Sequence, residues 1–316
     1  MAVGAFLYWN SKRSALPDGI ASGNGRLEAK LVDVVAKEPL RVKEILVDEG
    51  ALVEPGKVLV RLDTSTLEAQ LAEAEANVAA ARERLTAARA TTVTRKSEVE
   101  LAKVEADRSK RLVSDGAGSQ RELDVRQTRL QTAEAALVEA EAGVRTAEQQ
   151  VEGALAGAQT LKTRISDATL VSPITGRVLY RLAEAGEVLG PGGKALTLVN
   201  LQDVYMEIFL PSEQAARLKI GAEGRITVDF DPKHAIPGYV SFVSPEAQFT
   251  PKQVETRTER EKLMFRVKIQ VPKELAGQYI ERVKTGIRGV GYVKYKEGAE
   301  WPPWLENMAM PRPPGP

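Results

Sequence analysis

The chain contains no cysteine. This excludes disulfides, thiol nucleophiles, zinc–thiolate sites and a lipid-modified cysteine. It has one histidine, His234, so clustered imidazoles cannot form a metal centre within one copy. His234 sits in the turn-like string Asp231-Pro-Lys-His-Ala235, where a structural or solvent-exposed role is expected. Aromatic residues make up only 5% of the chain, which disfavours one large globular core. Neither sign of charge dominates: 44 Lys and Arg face 43 Asp and Glu, for a net charge of +1. No global field therefore recruits nucleic acid or an acidic substrate. No G-x-x-x-x-G-K-[ST] loop is present, and one histidine rules out H-E-x-x-H. Catalytic, cofactor-binding and metal-ligating residues are all expected to be absent. The N-terminal apolar run, Met1–Trp9, reaches about half of the roughly 20 residues a spanning helix needs. It is either a start peptide that packs or the end of a longer signal or anchor segment. Its Tyr8-Trp9 pair resembles an interfacial aromatic belt.

What is present is a duplication. Val42-Lys-Glu-Ile-Leu-Val-Asp-Glu-Gly50-Ala-Leu-Val53-Glu-Pro55-Gly56 is matched by Val178-Leu-Tyr-Arg-Leu-Ala-Glu-Ala-Gly186-Glu-Val-Leu189-Gly-Pro191-Gly192. Glu54-Pro55-Gly56-Lys57 and Gly190-Pro191-Gly192-Gly193 both fit a type II turn, with proline second and glycine third. One small β-domain is thus written in two halves, residues 34–63 and 169–200. A chain of 316 residues suits two or three domains, and 43% hydrophobic with 28% charged residues is a foldable composition.

Between the halves, residues 64–168 read as two long helices. The seam of the first is Leu67, Leu71, Ala74, Val78, Ala81, Leu85, Ala88, Thr92, Arg95, Val99, Ala102, Ala106, Ser109 and Val113. Thr92 and Arg95 make it polar in the middle. Asp63-Thr64 or Thr64-Ser65 is expected to cap it. The second seam alternates Leu123, Leu130, Leu137, Val144, Val151, Ala158 and Ile165 with Arg126, Ala133, Ala140, Ala147, Ala154 and Leu161. Its sevenfold repeat predicts a left-handed supercoil. Ser119 with Glu122 three residues later reads as a capping box. The Gly116-Ala-Gly118 break near 113–118 folds the arms into an antiparallel hairpin, each arm about 70 Å long at about 1.5 Å per residue. Residues 201–296 carry short alternating strands that suggest a small β-barrel, and 23–33 a strand that joins it. Residues 1–22 read as the end of an anchor plus linker. Residues 297–316 read as a Pro-rich tail, disordered or loosely docked. The fold class is α+β, multidomain and elongated.

Split lipoyl-like halves, an inserted coiled-coil hairpin and a following barrel resemble the HlyD-like membrane fusion proteins, or periplasmic adaptors. Ala168-Thr-Leu-Val-Ser-Pro-Ile-Thr-Gly176-Arg-Val looks like that family's strand entering the lipoyl domain. Ser244-Pro-Glu-Ala-Gln-Phe-Thr-Pro251, with Phe265-Arg-Val downstream, resembles the adaptors of ABC-type exporters. Arg108, Leu112 and Ser119 have the R-x3-L-x6-S spacing found in adaptors that dock TolC-type channels. The resemblance implies that these three bind the outer-membrane channel. It also implies an inner-membrane ABC-type exporter as partner, a homo-oligomer, commonly a hexamer, and a periplasmic location with an N-terminal inner-membrane anchor in a Gram-negative bacterium. No cofactor is implied. Two other readings stay open. A lipoyl or biotinyl carrier needs an exposed lysine on the turn that the hairpin occupies here. A scaffold coiled coil needs neither the tip motif nor the barrel.

Overall fold

The computed structural model of the protein describes residues 16–248, 263–278, 280 and 284–308. Met1–Trp9 and Phe249–Pro251 lie outside the described residues. Both copies of the duplicated pattern turn on glycines with positive φ: Gly50 at 83°, Gly56 at 84°, Gly186 at 92° and Gly192 at 76°. The two halves then interlock by exchanging backbone bonds. Val42 donates its N–H to the Glu187 carbonyl and accepts from Gly186, while Val178 donates to Ala51 and accepts from Gly50. Ala36 and Ser172 repeat the exchange at the next turn. Ala36 donates to Gly193 and accepts from Gly192; Ser172 donates to Lys57 and accepts from Gly56. Each half therefore satisfies the turn backbone of the other, which gives the domain a pseudo-twofold pattern.

Strands β2 (Leu40–Ile45), β3 (Leu52–Val53) and β4 (Val58–Leu62) come from the first half. The second half supplies β5 (Thr169–Val171), β6 (Gly176–Arg181), β7 (Val188–Leu189) and the start of β8 (Lys194–Pro211). Val42, Val53, Leu59 and Val60 pack with Leu196 and Leu198, all 1% exposed or less. The core thus draws on both halves.

Helices α1 (Ser65–Ser114) and α2 (Gln120–Asp167) fill the gap between β4 and β5. Every seam side chain named above is buried or half-buried except Arg95. Glu75–Lys162 and Arg89–Glu148 ion pairs, both 2.9 Å, tie the arms along one edge and set their relative height. At the base, Arg164 donates three bonds of 2.6–2.9 Å to the Glu38 carboxylate, and Lys37 pairs with Asp167 at 2.6 Å. Asp63 takes the capping role for α1. Its carboxylate accepts the Ser65 N–H at 3.1 Å, and that bond holds its pKa below the ordinary value. The Thr64 hydroxyl donates to Glu68 instead.

Strand β1 (Ile20–Val35) begins three residues before the expected start and runs through both β-domains alongside β8. Their pairing breaks between Ala29 and Lys30, where β8 advances from Val204 to Asn200. Beyond that kink, β1 joins β12 (Arg288–Lys294), β9 (Glu223–Val228), β10 (Asp231–Gln248), β11 (Met264–Gln270) and β8, and the β1–β8 pairing closes the barrel. Met206, Ile208 and Ile269 fill its interior with no exposure. A Cβ at Gly224, Gly238 or Gly291 would come within 2.8 Å of Ile269. Small and large side chains on facing walls thereby pack without a lumen. Three short helices complete the described chain: α3 (Ser212–Ala215), α4 (Lys273–Gln278) and α5 (Pro303–Glu306). His234 lies not in a turn but in β10, in the irregular stretch between Asp231 and Ile236, with its Nδ1 2.8 Å from Asp231 Oδ1.

The expectation of a disordered or loosely docked tail fails over residues 301–308. Trp301 is 8% exposed and Leu305 fully buried, in a cluster with Ile20, Ala235 and Tyr292 on the outside of the barrel. The indole N–H of Trp301 donates to Glu223 Oε2 at 2.9 Å, and that bond is the main reason the Glu223 pKa falls. Arg225 and Lys294 lie 5.2 and 5.0 Å from the ring centroid. Proline composition hid this docking, because the aromatic and aliphatic anchors between the prolines supply it.

Candidate functional site: the hairpin tip

The tip is built by a helix C-terminus that closes on itself. After Ser114 the chain turns through Gly116 at φ 73°. Gly116 N–H donates to the Val113 carbonyl at 3.1 Å, and Ala117 N–H to the Leu112 carbonyl at 2.8 Å. This is a Schellman closure, and it fixes the backbone beneath Leu112. A Cβ at Gly118 would lie 2.9 Å from Val113 N, so the returning strand of the loop presses on the same turn. Ser119 then starts α2 from an extended backbone, φ −93° and ψ 135°.

Arg108, Leu112 and Ser119 are all brought to this end and all are exposed. Arg108 and Leu112 stand one turn apart on α1, and Leu112 is 46% exposed. Arg108 forms no ion pair among the described residues. The expected capping box is absent. The Ser119 hydroxyl makes no capping bond, and Glu122 is taken by Arg126, Nε to Oε1 at 2.8 Å. A stronger charge-assisted partner on its own helix outcompetes the Ser119 N–H. Ser119 thus keeps a free donor and acceptor.

Arg126 was legible as a lone polar seam residue, but its role was not. It also bonds Glu105 of α1 at 2.8 Å, and Arg129 reaches the same carboxylate at 3.4 Å. This half-buried cluster braces the arms below the tip. Glu105 and Glu122 are therefore already held by arginine. Among the described residues no group of three or more His, Cys, Asp or Glu is placed to hold a metal. What the tip offers is a guanidinium fork, an apolar knob and a hydroxyl on a rigid turn. That is recognition chemistry, not catalysis.

Residues 84–154, which include the tip, match the family described as RND MFP, alpha-helical hairpin domain. Over those residues the hairpin is similar to that family's hairpin domain. The rest of the molecule agrees with the fold of such proteins. MacA from Actinobacillus actinomycetemcomitans superposes with a TM-score of 0.57 at 20% identity, over 87% of this chain and 78% of that one. A MacA–MexA chimera with the Pseudomonas aeruginosa MexA hairpin gives 0.53 at 18% identity, over 89% and 83%. Among curated relatives, a UPF0194 membrane protein of Acidithiobacillus ferridurans is 25% identical over 85% of this chain and 87% of its own length. One from Yersinia enterocolitica is 29% identical over 78% and 82%. No helix among the described residues is long and apolar enough to cross a membrane.

Proposed function

We propose that the protein is a periplasmic adaptor, anchored at the inner membrane through its N-terminus, that links an inner-membrane exporter to a TolC-type outer-membrane channel. The observation that carries this reading is the tip. Arg108, Leu112 and Ser119 are presented, unpaired and exposed, at the end of a spacer about 70 Å long. The exporter is of the ABC type, a reading supported by the Ser244–Pro251 run and Phe265-Arg-Val; the hairpin family's RND label makes the other pump class the rival outcome.

The working unit is a ring of copies, six in this reading, with hairpins side by side. Two outer faces support it. Val93, Leu101 and Val104 stand out from α1 with 67%, 57% and 53% exposure. At matching heights, set by the Arg89–Glu148 pair, α2 presents the exposed small residues Ala135 and Gly143. One face supplies knobs where the other leaves room.

The test is export in cells combined with crosslinking from the tip. Arg108→Asp, Leu112→Asp and Ser119→Arg should fold normally yet abolish both export and the crosslink to the channel, because one buried mispaired charge costs several kcal/mol of binding. Glu83→Arg, on the exposed face of the basal half, should be nearly silent. Tip variants that export and crosslink like the parent would refute the docking role. Co-purification of an ATPase or of a proton-driven pump decides the exporter class.

A further inference from the structure

We propose that the hairpin contains a compliant segment at mid-arm, Thr91–Arg95 of α1 level with Gly143–Val144 of α2, about which the distal half tilts relative to the base. The inference stands apart from the adaptor reading and does not depend on it.

Thr91-Thr92-Val93-Thr94 puts four β-branched residues in succession inside a helix, where their χ1 freedom is restricted. The hydroxyls of Thr91, Thr92, Thr94 and Ser97 turn back to the carbonyls of Ala87, Ala88, Ala90 and Val93, at 3.1, 3.1, 3.3 and 3.2 Å. Bonds of this kind compete with the helix ladder and bend helices. The seam is also thinnest here. Full burial along α1 stops at Ala81 and resumes only at Ala102. Along α2 it lapses between Leu123 and Ala147. Thr92 is only half-buried, and Arg95, at a position that should face α2, is exposed and bonds Glu98 of its own helix at 2.8 Å. At the same height Gly143 sits on the outer face of α2 beside the seam residue Val144, where a Cβ would meet open space, so it weakens the helix itself, glycine being a poor residue for a helix interior.

Arg126 shows the alternative. It too is a polar seam residue, but it bonds across the hairpin to Glu105, so it fastens the arms where Arg95 leaves them apart. Arg95 therefore marks a gap between two fastened stretches: the ion-paired base below and the Arg126 cluster above.

Hydrogen exchange on the full chain tests this. Amides of 88–97 and 140–147 should exchange about tenfold faster than those of 74–84 and 99–109. The variant Thr91→Ala/Thr92→Leu/Thr94→Ala/Arg95→Ala restores the Leu/Ala seam. It should erase that difference and raise the Tm. Limited trypsin digestion of the parent gives an independent reading. Cleavage after Arg95 or Lys96 should precede cleavage after Arg82 or Lys103, which are also exposed in the same helix. Uniform protection along both arms, or first cleavage elsewhere in α1, overturns the proposal even if the variant does not fold.

Discussion

The lipoyl-like domain and the hairpin hold two distant stretches of chain together in opposite ways. In the lipoyl-like domain each half supplies the backbone partners for the other's turns, and the core is a shielded aliphatic cluster. In the hairpin each arm satisfies its own backbone, and contact between arms is a narrow seam, mostly half-buried, edged with ion pairs. The first arrangement is all-or-none, because neither half can bury its face or satisfy its turns alone. The second is graded, because it is a string of weak contacts whose strength varies along the rod. A domain of the first kind can tolerate a long insertion, since its halves recognise each other. A rod of the second kind can change stiffness locally without coming apart.

The comparison breaks most severely in the core that the two halves share. Leu196 is fully buried. Leu196→Ala should cost about 3 to 5 kcal/mol through lost burial and a residual cavity. Urea melts monitored on strand amides of both halves should lose cooperativity together; loss in one half alone would contradict the interlock. A smaller effect is expected in the hairpin. Leu137 is half-buried, so Leu137→Asp should cost about 2 kcal/mol, less than the same change in a closed core. Circular dichroism should show reduced helicity or a lower first melt with the β-domains intact.

The smallest effect concerns acid. Glu38 has its pKa lowered chiefly by the hydrogen bonds from Arg164, against an opposing effect of burial. A depressed carboxylate contributes stability that is present above its ordinary value and is lost as pH falls through its folded value. That loss lies below about pH 4. Asp63, at the root of the other arm, is lowered as well, by the Ser65 N–H. The lipoyl-like core has no carboxylate inside it, and the lowered Asp33, bonded to Lys194 and Thr197, lies at its β8 edge. Acid should therefore loosen the base of the hairpin before it melts that core. At pH 3, amides of 63–67 and 164–168 should lose protection while those of β4 and β6 keep it. Glu38→Gln should remove the pH step at the Arg164 side. Simultaneous loss in all four stretches would refute the ordering.

Much of this was legible in the sequence, for identifiable reasons. The duplicated glycines are required by positive φ, so they persist at fixed spacing around a long insertion. The seam repeats because helical geometry demands it, and its two arginines already stood out. What they do was not legible. Arg95 and Arg126 look alike in a heptad register, yet one bonds its own helix and the other bonds across, a difference decided by which carboxylate lies within reach. Ser119 and Glu122 have capping-box spacing, but Arg126 four residues on competes for the same carboxylate. The docking of Trp301 depends on Glu223, Arg225 and Lys294, brought together only by strand pairing far along the chain. Nothing local in the sequence marks Gly224, Gly238 and Gly291 as the close wall of the barrel. The three tip residues stood out by spacing alone. Their exposure depends on the Schellman turn that the Gly116–Gly118 break permits.

The barrel has one more consequence, for permeation. Its axis is plugged by Met206, Ile208 and Ile269, pressed against walls of glycine, and the hairpin's axis is occupied by its own seam. Neither element leaves a bore. In the proposed ring, any solute would therefore pass outside each copy, in a space that no single copy encloses. Its lining would be drawn from surface residues free to vary without disturbing the fold, so a change of cargo would require no redesign of the interior.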